Sequence, residues 1–78
     1  MLLTTRTLIC KTISALFVEY NQGNNQDGIF QLLCAYREYL YERGYLMKLY
    51  YGEHNTMITK ITISMIDTRK TWEWEHNI

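Results

Sequence analysis

The chain predicts an α+β fold in two layers, with two N-terminal helices packed on a three-stranded antiparallel meander. Three observations carry that prediction. Apolar residues recur at helical spacing up to Gly44. Beyond Gly44 the period changes to 2, with polar turns between the alternating runs. No linker, repeat or low-complexity run divides the 78 residues, so 1–78 reads as one small domain.

The first stretch, Thr4 to Gln22, has two readings. Ile9, Ile13, Leu16, Phe17 and Tyr20 form a stripe of period 3.6, flanked by Leu8 and Thr12. Its threonines and β-branched residues favour a strand instead. Neither face is consistently apolar at period 2, so periodicity outranks propensity and the stretch reads as a helix. Thr4 or Thr5 is the expected N-cap and Gly23 the residue that ends it. Asn21 to Gly28 is a run of turn formers, which fits the loop of an αα-hairpin.

Asp27 to Gly44 is the strongest helical segment. Ile29, Leu32, Leu33, Tyr36, Tyr39 and Leu40 share one broad face, expected to cover the sheet. Phe30, Cys34 and Tyr41, with Arg37 among them, form a narrower second stripe for the first helix or a partner. Asp27 suits an N-cap, Arg43 the negative end of the dipole, and Gly44 the left-handed stop.

Three alternating runs follow. Tyr45, Met47, Leu49 and Tyr51 alternate with Leu46, Lys48 and Tyr50; Gly52 to Thr56 is a turn; Met57, Thr59, Ile61, Ile63 and Met65 share a face. Asp67 to Lys70 is a four-residue connection, and Trp72 and Trp74 then alternate with Glu73 and Glu75. Pairing Tyr51 with Met57 and Ile66 with Thr71 puts the large apolar residues on one face. It also sets Lys48 opposite Lys60, an unfavourable contact of a few tenths of a kcal/mol, roughly.

Composition narrows the function. At 47% hydrophobic residues the chain is not compositionally disordered. Eight basic and eight acidic side chains give zero net charge without blocks of either sign. That disfavours non-specific nucleic-acid binding, which needs a basic face, and equally an acidic DNA mimic. The N-terminus lacks a basic region, a cleavage site and a lipidation signal, and Ala15 to Val18 is too short to cross a bilayer, so a cytoplasmic location is expected. Residues with AT-rich codons outnumber those with GC-rich codons by thirty to ten, which favours an AT-rich bacterial, phage or plasmid source.

Chemistry is sparse. His54 sits beside Glu53 in a turn and His76 follows Glu73 and Glu75, with no HxH or HExxH spacing; solvated side chains explain them better than a metal. Cys10 and Cys34 lie in apolar periodic runs and read as reduced core residues. Alternation aims Glu73 and Glu75 at open solvent, and there is no Gly-rich phosphate loop. No catalytic residue, metal or cofactor is expected.

Gly44-Tyr45 followed by Gly52-Glu53-His54 resembles the helix exit and strand of HicA-type toxins, small ribonucleases with a double-stranded-RNA-binding-like fold. The resemblance spans about eleven residues and implies His54 as acid or base at an RNA 2′-hydroxyl. The chain departs from that family in carrying Glu53 where it has serine, in lacking a basic surface, and in ending on tryptophans instead of a second helix.

Seven Tyr and two Trp are more aromatic surface than so small a core absorbs easily, and such residues supply interface area at low entropic cost. The leading expectation is therefore a small protein-binding or inhibitor module, phage- or mobile-element-encoded. It would occupy a larger host protein or nucleoprotein complex, such as a CRISPR-type defence nuclease, as anti-CRISPR proteins do. Arg37, Glu38, Tyr41, Tyr50, Trp72 and Trp74 are the expected contact residues. Neither direct nucleic-acid contact nor membrane contact is expected. The alternatives are a ribonuclease toxin using His54 and a homodimeric accessory subunit.

Overall fold

The computed structural model describes residues 5–53 and 57–76. Helix α1 (Thr5–Asn21) and helix α2 (Gln26–Glu42) precede strands β1 (Tyr45–Tyr51), β2 (Ile58–Met65) and β3 (Thr71–Glu75). The strands form an antiparallel meander in the order β1-β2-β3. Both helices lie on one face of it, α2 against β1 and α1 against β3, touching each other between. This is the expected two-layer α+β architecture, with a helix in the ambiguous first stretch.

Helical periodicity decided that first stretch. Ile9, Ile13, Phe17 and Tyr20 are all buried, as one stripe of α1. At its end Gly23 is left-handed, φ 82°. The Asn24 and Gly23 amides donate to the Glu19 and Tyr20 carbonyls, both at 3.1 Å, which satisfies two of the carbonyls a helix end leaves free. Of the two expected caps, Thr4 lies outside the described residues and Thr5 is the first residue of the helix.

The start of α2 differs from expectation. The residue preceding the helix is Asn25, itself left-handed with φ 45°, and its side chain makes no capping bond. Asp27 falls inside the first turn, where its charge still suits the positive end of the dipole. The Asn25 side chain folds over Gly28, where a Cβ would come within 2.5 Å of it. At the far end Gly44 takes the expected left-handed conformation, φ 87°, with open space around it. Gly44→Ala therefore meets no clash, and its cost is conformational, about 1 to 2 kcal/mol in a thermal or chemical denaturation.

The register differs from expectation by two residues in both hairpins. Met47 pairs with Ile63 and Leu49 with Ile61, while Trp72 pairs with Ile63 and Trp74 with Ile61. The β2–β3 loop has its four residues at 66–69, with Arg69 left-handed at φ 58° and the Met65 amide donating to the Lys70 carbonyl at 2.8 Å. Sliding a hairpin loop by one residue moves the pairing by two, so every side chain keeps its face. The slide also removes the Lys48–Lys60 conflict. Lys48 now opposes Thr62, and Lys60 opposes Tyr50 and Glu75 with its ammonium 3.5 Å from Glu73.

One alternation is broken. Tyr50 pairs with Lys60 and Tyr51 with Ile58, leaving Thr59 as the extra residue of a bulge. Ile58 therefore turns into the core while Met57, expected there, is exposed. The core is built from the α1 stripe, from Ile29, Leu33 and Leu40 of α2, and from Met47, Ile58, Ile61 and Ile63 of the sheet.

Candidate functional site

The broad face of α2 is divided between two neighbours. Ile29, Leu33 and Leu40 enter the core. Leu32, Tyr36 and Tyr39 lie beside α1, where with Thr12, Leu16 and Ala35 they line an almost wholly apolar groove of about 570 Å³. The first helix thus meets this flank and not the Phe30–Cys34–Tyr41 stripe. That stripe turns towards β1, with the Phe30 ring 6.4 Å from Tyr51.

The groove's far wall is ordered by stacking. Tyr36 and Tyr39, three residues apart, stack at 5.7 Å and 16°. The Arg43 guanidinium lies 3.6 Å from the centre of the Tyr39 ring, and its Nη1 donates to the Tyr39 carbonyl at 3.3 Å. Burial pushes the Tyr36 phenol above its ordinary pKa; a hydrogen bond with Thr12 opposes that, and Tyr39 and Cys10 add to it. Sequence reasoning missed this groove by assigning all six α2 residues to the sheet. The available signal was the width of the stripe, which exceeds what one strand and a core can cover when a second helix shares the layer.

Three of the six expected contact residues come together on the other flank of α2. The turn at Gly44 sends β1 back along the helix, so Leu46 and Met47 lie beside its last two turns. With Arg37, Glu38, Tyr41 and Glu42 they line a second groove of about 510 Å³, mixed in polarity. Tyr41 is 63% exposed, the highest value among the exposed large hydrophobic residues, and Leu46 beside it is also exposed. Glu42 reaches Arg43 at 4.0 Å, a solvated pair of little energetic weight.

The other three are placed apart. Tyr50 stands on the open sheet face with the Lys60 ammonium 5.3 Å from its ring centre. Trp72 is half-buried in a cleft with Arg6, Thr7, Cys10 and Lys70, whose ammonium is 5.7 Å from the indole. Trp74 is half-buried under α1 and donates its indole N–H to Ser14 Oγ at 2.8 Å. That bond satisfies the one polar group a packed indole must place. Both tryptophans pack against the core and stay partly exposed.

No group of three or more His, Cys, Asp or Glu side chains among the described residues is arranged to hold a metal ion. Cys10 and Cys34 are half-buried free thiols. Gly44, Tyr45 and Gly52 of the HicA-like stretch mark the end of α2, the start of β1 and the residue after β1; His54 lies outside the described residues. No described helix is long and apolar enough to cross a membrane. No protein-family model, no curated protein and no solved structure matches the chain.

Proposed function

We propose that the chain is a small protein-binding module that acts by occupying the surface of a larger protein, with Tyr41 as its anchor. The observation that carries this reading is the exposure of Tyr41 in a groove that it lines with Leu46, Met47, Arg37, Glu38 and Glu42. An apolar aromatic centre with a charged rim is the usual anatomy of a protein interface, and tyrosine is among the residues that most often dominate binding energy. Zero net charge fits a protein target better than a nucleic acid. The codon bias supports a phage or plasmid origin, and with it an inhibitor of a host enzyme such as a defence nuclease.

The test is affinity capture from a nuclease-treated bacterial lysate, comparing the wild type with Tyr41→Ala. The expected result is one large protein in stoichiometric amount, depleted about 30-fold by a hot-spot loss of about 2 kcal/mol in the variant. Enrichment of RNA or ribosomes in untreated lysate, with no such protein, would overturn the reading and redirect attention to His54.

A further inference from the structure

We propose that the outward face of α1 pairs with the same face of a second copy of this chain, antiparallel about Ala15. Opposite its buried stripe, α1 carries Leu8, Lys11, Ala15 and Val18, and Gln22 continues the line into the loop. The spacing is three, four, three and four residues, which keeps one line of a helix facing a partner helix. All five side chains are exposed, Leu8 and Val18 each to 53%. The apolar interhelical groove adjoins this line through Thr12 and Leu16.

Charge selects the occupant and its direction. Lys11 and Glu19 stand four residues to either side of Ala15, about 6 Å along the axis each way. An antiparallel second copy centred on Ala15 brings each Lys11 opposite the other copy's Glu19, twice over by symmetry. Among the described residues Lys11 has no salt-bridge partner of its own, and the exposed Glu19 carboxylate accepts from the Asn24 side-chain amide at 3.0 Å. A parallel copy in the same register would set Lys11 on Lys11 and Glu19 on Glu19. Leu8 then lies along the aliphatic part of Gln22, and Val18 at the level of Thr12.

The small Ala15 side chain at the centre lets the two helices approach closely.

The experiment is sedimentation equilibrium of the full chain across the micromolar to millimolar range, with helicity checked by circular dichroism. The wild type is expected to pass from one to two copies as concentration rises. Lys11→Glu and Glu19→Lys each set like charges opposite one another at both ends and should raise the dimer dissociation constant at least tenfold. The double variant Lys11→Glu/Glu19→Lys restores opposite charges and should return the wild-type curve. A monomeric wild type, single variants that dimerise like the wild type, or a double variant that stays monomeric would each overturn the proposal.

Discussion

Leu33→Ala is expected to destabilise the protein by about 3 kcal/mol, while the same change at its neighbour Leu32 costs less than about 1 kcal/mol. Leu33 is fully buried, among the residues that join α2 to α1 and the sheet. Truncating it leaves a cavity that the surrounding isoleucines cannot collapse into without moving the helices. Leu32 is 55% exposed on the rim of the interhelical groove, so its truncation removes side-chain surface that water already reaches. A domain of this size has only a few kcal/mol of net stability, so Leu33→Ala should leave a substantial unfolded population. Urea denaturation of the two variants checks this. Equal effects at the two positions would contradict the assigned rotation of α2 about its axis.

Tyr20→Phe should cost about 2 kcal/mol although it removes a single oxygen. The Tyr20 hydroxyl accepts a hydrogen bond from the Ile58 amide at 2.9 Å, and both residues are buried. Ile58 stands at the bulge in the β1–β2 ladder, where the extra residue Thr59 interrupts strand pairing. The phenol thus takes the place of a strand partner, tying the last turn of α1 to the start of β2. Phenylalanine keeps the ring and leaves the amide buried without an acceptor, so the desolvation of that N–H is uncompensated. Hydrogen exchange at the Ile58 amide should quicken with the loss of stability. An unchanged unfolding midpoint and an equally protected amide would show that this bond does not hold the junction.

Much of the fold was legible because two periodicities are written clearly. The α1 stripe from Ile9 to Tyr20 is buried as a helical line, and Gly23 and Gly44 stop their helices in the left-handed conformation only glycine adopts without cost. Register was not legible to the residue. Loops at 66–69 and at 67–70 both keep Trp72 and Trp74 on the inner face, so alternation cannot tell them apart. The Lys48–Lys60 repulsion was the local sign that the expected pairing was two residues out. The bulge at Thr59 was illegible for a related reason, since Ile58 and Met57 are both apolar and either could have faced inward.

The candidate surfaces were half legible. The helical wheel shows which way Tyr41 points but not what shares the layer, so the grouping of Arg37, Glu38 and Tyr41 emerged while the Leu32–Tyr39 groove did not. The tryptophans were read as contact residues from their type. The Trp74 indole also has an internal partner in Ser14, sixty positions away, which no local pattern announces.

The central claim is that partner binding runs through the Tyr41 groove. Titration of the captured partner with the Tyr41→Ala and Leu32→Ala variants, each first shown to unfold at the wild-type midpoint, tests it most directly. Tyr41→Ala should weaken binding about 30-fold or more, and Leu32→Ala less than about threefold. A large loss with Leu32→Ala and none with Tyr41→Ala would contradict the account and move the binding surface to the groove between the helices.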